Sequence, residues 1–531
     1  MLRPVAAAVL LAAFSTVRLQ ASLLYWDADG TTTGAGAAPA GTWGTDSFWN
    51  SDATGANGGS FTATTTSSDT LYFSAGPNSS TSAYTVTLNG TQAAQGITFQ
   101  NKGAVTLGGG TLALGSGGFT AVSAVLAAND RTSVTISSNI SLQANQTWTS
   151  NTGASGSAVL VSGNVTGTGN LTLTQNTNRG FTVSGNINHA GTLSSSGTNP
   201  AGITLSGNIG SNVTDVKVTS TAVLKLSGTN TYSGDTLIGG ANFTTPLLRV
   251  ANENALSAST TVILSTAGTS GSATLDLGDG ANSYNVTVAG LATTGSNLAL
   301  NKVTNGSTGT GMATITVNPD GKLTPADSAF GGIIQDGATA KVALTKAGGQ
   351  TLTLNGANTY TGATRVTGGT LALGAAGSLS ASSALTVGAG ATFDAQAPAS
   401  YAFSTATTTT LGVGATSAGQ IKAAEAVFSS ANLAFDFGSA STLLSSYTVL
   451  VSTSETGNFS SITATGTSIS GTFVHAGSGN WTLTAGGYSM TFSEGAGTLT
   501  AIASAVPEPS TYAVLAGAAG LVLAWGARRR K

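Results

Sequence analysis

The chain has 531 residues and is nearly uncharged: 18 Lys or Arg stand against 20 Asp or Glu, 7% of the whole, for a formal net charge of −2. An ordinary soluble domain carries about 25% charged residues, and so small a balance leaves no electrostatic footprint for nucleic acid. Cys is absent, which excludes disulfides and thiolate metal sites; 73 Gly and a mean hydropathy of +0.20 argue against charge-driven disorder.

Residues 1–21 read as a secretory signal peptide. Arg3 precedes an apolar run from Val5 to Val17, and Leu19-Gln20-Ala21 places a small residue, Ala21, at the cleavage point. The run is too short for a comfortable membrane span, so the mature chain is expected to begin near Ser22. Residues 22–85 are rich in aromatics, with Trp26, Trp43, Trp49, Tyr72 and Phe73 among them. Two readings follow: a cap over the bare end of a stacked β-structure, or an exposed Trp platform for sugars. The cap is preferred, because a solenoid end needs one whatever the protein does.

From residue 86 to residue 427 short apolar stretches alternate with polar residues, as in Tyr84-Thr-Val-Thr-Leu88, Leu171-Thr-Leu173 and Ala313-Thr-Ile-Thr-Val317. Period-two alternation rich in Val, Ile, Leu and Thr predicts strands with one buried face. Asn-Gly, Ser-Gly and Gly-Gly pairs supply the turns. No amphipathic helix is evident; Ala423–Phe428 and Glu253–Leu256 are each expected to form at most a helical turn.

Longer units recur. Leu352-Thr-Leu-Asn-Gly-Ala-Asn-Thr-Tyr-Thr-Gly362 aligns with Leu224-Lys-Leu-Ser-Gly-Thr-Asn-Thr-Tyr-Ser-Gly234, and Gly368–Gly374 repeats Gly109–Gly115 identically. These residues resemble the autotransporter-associated β-strand repeat, most clearly at 344–373 and 224–250. A unit of about 20–30 residues cannot bury its own apolar face, whereas stacked units share a core. Like charges stacked at about 4.8 Å repel, while Thr, Ser and Asn can bond along a ladder. Asn230 and Asn358 are therefore expected at turns or ladders, and Tyr232 and Tyr360 as corner caps rather than ligand contacts. A β-sandwich array is the competing architecture.

Residues 428–505 predict a second β-rich closing unit, too short for an outer-membrane barrel. Self-driven export through such a barrel is therefore not expected. Last comes Pro507-Glu508-Pro509, then 18 uncharged residues, Ser510–Ala527, then Arg528, Arg529, Arg530 and Lys531. A helix over 511–527 would nearly match a bilayer's hydrocarbon core, with the cations held on the cytoplasmic side. This order resembles the PEP-CTERM sorting signal of bacterial envelope proteins. The resemblance implies a membrane-embedded, exosortase-like sorting enzyme as partner, transient anchoring in the inner membrane, and release or attachment at the cell surface.

Catalytic chemistry is hard to assemble from this composition. His189 and His475 are the only histidines, each read as a surface residue, and no Gly-x-Ser-x-Gly elbow stands between a strand and a helix. Asp215 with Lys217, and Asp276 with Asp279, are the nearest approach to the charged face of a polysaccharide-cutting β-helix; they are read as solvated. Asp27-Ala-Asp29-Gly30 and Asp276–Gly280 have clustered oxygens that hint only weakly at calcium, since no EF-hand loop follows. No catalytic residue, metal or cofactor is assigned.

The sequence thus predicts an all-β fold: an elongated right-handed parallel β-helix or β-solenoid with β-rich caps, plus an N-terminal signal helix and a C-terminal transmembrane helix. The expected function is a non-enzymatic structural or adhesive protein of the cell surface. The alternative is an extracellular polysaccharide-binding or polysaccharide-degrading β-helix protein, with extracellular polysaccharide as candidate partner.

Overall fold

The computed structural model describes residues 21–504, apart from 31, 57–58, 77–79, 123–132, 152–157, 199–201, 220, 222, 241–243, 267–270 and 323–325. The expected signal helix and the transmembrane helix over 511–527 lie outside the described residues. Among the described residues there is no α-helix, only 3-10 turns at Leu298–Leu300 and Pro319–Gly321, and no helix is long and apolar enough to cross a membrane. The chain clusters into two compact units, Met1–Val213 and Thr214–Lys531.

The first unit is a parallel β-solenoid whose strands form three ladders. One ladder stacks Leu71, Ile97, Phe119, Trp148, Leu173 and Ser195 in register, all buried. A second stacks Val105, Val134, Val159, Phe181 and Ile203. The third stacks Leu112, Ile140, Val165, Ile187 and Ile209. The reason is the alternation itself: every second side chain points inward, so a Thr-Leu-Thr run buries Leu and leaves Thr outside. Phe73, Phe99, Phe119 and Trp148 form a continuous aromatic spine, with ring centroids 5.0–6.1 Å apart. Trp148 Nε1 donates to Gln146 Oε1 at 2.8 Å, so its polar handle is satisfied inside the core.

Ser-Gly-Asn triplets turn one corner of this unit at 162–164, 184–186 and 206–208. Asn139, Asn164 and Asn186 each accept, through Oδ1, the backbone N–H of the Asn stacked on the next coil, at 3.0–3.1 Å. The glycine is required by close approach: a Cβ on Gly185 would lie 2.0 Å from the Gly163 carbonyl oxygen.

The amino-terminal end is closed by antiparallel pairing of Leu23–Trp26 with Trp49–Asn50, and of the latter with Phe61–Thr62. Trp26, Trp43 and Trp49 are completely buried and meet edge to face, with centroids 5.0–5.1 Å apart. Rings so enclosed cannot present a flat sugar platform, and that reading is withdrawn for these residues. Parallel stacking begins inside the 22–85 segment, where Leu24 pairs with Leu71.

The second unit is also a parallel solenoid. One ladder stacks Leu224, Leu248, Leu275, Val303 and Ile334; another stacks Val317, Lys346, Val366, Val387, Leu411, Phe435 and Ala464. Parallel pairing continues past residue 428, through Asn432–Gly438, to Ser461–Gly466. Only then does the chain form an antiparallel sheet from Val474–Gly477, Asn480–Ala485, Tyr488–Ser493 and Thr498–Ala503, joined by Ser446–Thr448. Gly486 and Gly487 both have positive φ, which the tight hairpin between Ala485 and Tyr488 demands. Ala423–Val427 of the helical turn expected at Ala423–Phe428 is instead part of the strand Gln420–Val427. There, pairing with Thr392–Ala395 and Leu450–Thr456 outweighs the helical propensity of its Ala residues.

Candidate functional site

The residues that repeat build the most elaborate polar corner of the second unit. Tyr360 is fully buried and its hydroxyl lies 2.6 Å from Thr364 Oγ1, which lies 2.8 Å from Ser383 Oγ. Tyr232 repeats this relay with Thr236 at 2.6 Å and Thr260 at 2.9 Å. Burial pushes both phenols up, Tyr232 to about 12. Asn358 is equally enclosed. Its Oδ1 accepts from the Ile334 amide at 2.9 Å, and its Nδ2 donates to the Gly356 and Ser378 carbonyls at 2.9 and 3.0 Å. Three coils are thus tied at one side chain. Both Tyr lie inside the wall, where no ligand reaches them.

Just outside the corner of Asn230 and Tyr232 is an open groove of about 470 Å³. Its walls are Asn230, Glu253, Asn254, Ser257, Asn285 and Thr287, with backbone and smaller side chains between them. The lining offers hydroxyls, amides and one carboxylate, and no cation. Such a surface can hydrogen-bond a neutral polyol; it holds no pair of groups placed to exchange a proton with one.

Charge gathers on one outward strand face of the same unit, where Lys225, Arg249, Asp276 and Thr304 stand in register on successive coils. Asp276 is 3% exposed rather than solvated as the sequence suggested. Arg249 Nε donates to its Oδ2 at 3.0 Å, and the amides of Gly278 and Gly306 donate to its Oδ1 at 3.1 and 2.6 Å. Asp279 faces Lys225 at 3.8 Å. Burial works against its charge, but the Asn282 and Ala281 amides, the Tyr284 hydroxyl and Lys225 outweigh it and hold the carboxyl below its ordinary value. Asp215 and Lys217 do share a face, and Asp215 accepts the Asp235 amide at 3.0 Å. Arg249 with Asp276 and Lys225 with Asp279 neutralise one another.

The histidines diverge. His475 is exposed against Trp481. His189 is completely buried in the first unit, contrary to its expected surface place. Burial pulls its pKa down to about 4, and the Gly169 backbone offsets this only in part. Period two from Ile187 already put residue 189 on the inward face, a signal the composition of the segment obscured. Lys346 is a second buried titratable group, unnoticed in the sequence although it follows Val342 and Leu344 at the same period. It donates to the carbonyls of Ala347, Gly348 and Gly368 at 2.7, 3.0 and 3.1 Å. Desolvation lowers its pKa to about 8 against the pull of Asp320 and Asp327.

Of the two weak calcium hints, Asp276 is occupied as described, and Asp27 with Asp29 is the other. Asp27 is buried and already accepts from Asn50 Nδ2 at 2.8 Å and from two backbone amides. Among the described residues no group of three or more His, Asp or Glu is placed to hold a metal. Ala21 is exposed and just precedes the first strand. Pro507, Glu508, Pro509, Arg528, Arg529 and Arg530 lie outside the described residues.

The Passenger-associated-transport-repeat family matches residues 219–241 and 344–373, the two stretches that contain Tyr232 and Tyr360. No characterised protein and no solved structure matches the chain. In those stretches the chain is similar to passenger-associated repeats, and both stretches lie within a parallel solenoid. The combination fits an exported, autotransporter-type passenger: a surface β-solenoid.

Proposed function

We propose that this chain is a non-enzymatic protein of the bacterial cell surface whose β-solenoid body serves a structural or adhesive purpose. The observation that carries the reading is the repeat corner: its most specific residues, Asn358, Tyr360 and Thr364, are spent on holding coils together. The charged face supports it too, since each carboxylate there is occupied by a neighbouring cation or amide. Export is supported by the passenger-type repeats and by the signal-like run ending at Ala21.

Delivery is proposed to run through the tail. Pro507-Glu508-Pro509, the uncharged run and Arg528–Lys531 follow the order of a PEP-CTERM signal, and an exosortase-like membrane enzyme is the proposed partner. The test is to express the chain in a host that has such an enzyme and follow it by fractionation. Replacing Pro507 and Pro509 by Ala should leave a longer, unprocessed form in the inner membrane. Unchanged processing would defeat the tail reading. Protease treatment of intact cells should remove the solenoid; full protection would defeat surface display.

A further inference from the structure

We infer that the second unit carries two related grooves for a neutral, hydroxyl-rich polysaccharide. Each lies on the coil that follows a repeat corner, and the inference deepens the adhesive reading on which it rests. The tetrapeptide Leu256-Ser-Ala-Ser259 recurs as Leu379-Ser-Ala-Ser382. The corner Asn fastens both copies in the same way: Asn230 Nδ2 donates to the Ala255 carbonyl at 2.6 Å, and Asn358 Nδ2 to the Ser378 carbonyl at 3.0 Å, each immediately before the Leu. The residue after each tetrapeptide, Thr260 or Ser383, completes the buried Tyr–Thr relay. The wall is therefore held from behind at the same two points in each copy.

A groove opens over each strip. The first holds about 470 Å³ and the second about 240 Å³. The first falls within the range of ligand sites, about 300–1,000 Å³, and the second suits a smaller part of a chain. Ser380, Ser400, Ser404 and the partly exposed Tyr401 give the second its polar groups, and Leu379, Leu385 and Pro398 make its walls more apolar than those of the first. Neither lining contains Lys or Arg, and the first contains Glu253. An acidic polymer would meet no counter-charge there and one repelling carboxylate. A neutral polymer meets donors and acceptors held on rigid walls, which keeps the ordering cost low. Two sites on one unit let a long polymer bind more tightly than either groove alone.

The test uses the full chain, purified in detergent and immobilised, with laminarin and dextran as neutral probes and alginate as the acidic one. Ala258 and Ala381 are both exposed, so Ala258→Trp and Ala381→Trp fill the grooves from their rims. Either substitution should weaken binding of a neutral polymer about tenfold, and the pair about a hundredfold or more. Glu253→Gln and Ser400→Ala, which add no bulk, should each weaken it several-fold, a result that misfolding of the Trp variants could not imitate. Binding that survives both Trp substitutions, binding of alginate alone, or no binding of either neutral polymer would overturn the inference. Surface display is read separately by protease treatment of cells. A displayed chain that binds neither neutral polymer sinks the grooves and leaves the surface reading standing.

Discussion

Asn358 shows how much a single side chain can contribute when it is enclosed. It makes three hydrogen bonds to main chain on neighbouring segments, and truncation would strand those groups in a buried corner. Each unmet buried group costs about 1–3 kcal/mol, so Asn358→Ala should destabilise by about 2–3 kcal/mol after partial relaxation, measured by urea denaturation followed by circular dichroism. A loss within experimental scatter would mean that the corner is not a clamp. His189 makes a prediction in pH. Its folded pKa is lowered to about 4 from 6.5, so between these values the unfolded chain binds a proton that the folded chain refuses. Stability is therefore full above pH 6.5 and falls as pH drops towards 4, by up to about 3 kcal/mol. Urea midpoints across that window should fall for the native chain, and His189→Leu should remove this group's share of the slope. Lys346 has the same sign at higher pH: its lowered pKa makes stability rise from pH 8 towards 10.5 as the buried cation loses its proton.

At the scale of elements, coil spacing is set by corners as much as by strands. Gly163, Gly185 and Gly207 follow one another at a corner where a Cβ on Gly185 or Gly207 would come within 2.0–2.1 Å of the carbonyl oxygen on the coil before. Backbone at that distance can only move apart, so Gly185→Ala should cost about 1–3 kcal/mol, the usual toll of overpacking. The comparison is Gly180→Ala, where a Cβ meets nothing within 4 Å; it should be near neutral by the same denaturation assay. Equal effects at the two positions would refute corner contact as the cause. The strand positions were legible in sequence because period-two alternation maps directly onto burial: Leu171–Gln175 reads buried at every second residue. Boundaries between elements were not. Parallel stacking runs to Ser461–Gly466 rather than stopping near 428, since antiparallel and parallel strands share the same alternation and differ only in partner.

For the whole molecule, scarcity of charge has a physical consequence. Between Arg131 and Asp215 the only Lys, Arg, Asp or Glu is Arg179, and the ladders there are held by Asn, Ser and Thr. Salt screens exposed charges strongly over about 0.01–1 M but does little to amide–carbonyl bonds. The thermal midpoint should therefore shift by less than about 2 °C over that range, against the larger shift expected of a charge-stabilised surface. A strong salt dependence would show that the few ion pairs, Arg249 with Asp276 foremost, matter more than the uncharged ladders. Sequence alone determined the all-β class, the stacked repeats and the scarcity of reactive groups, because alternation, turn residues and composition are local properties of the chain. Tertiary structure decided which coils meet: it sealed the three tryptophans in a cap, drew Asp276 and Lys346 into the wall, and placed a groove over each Leu-Ser-Ala-Ser strip. Those outcomes depend on register between residues some 20–30 positions apart, which strand alternation, being the same in every coil, does not encode.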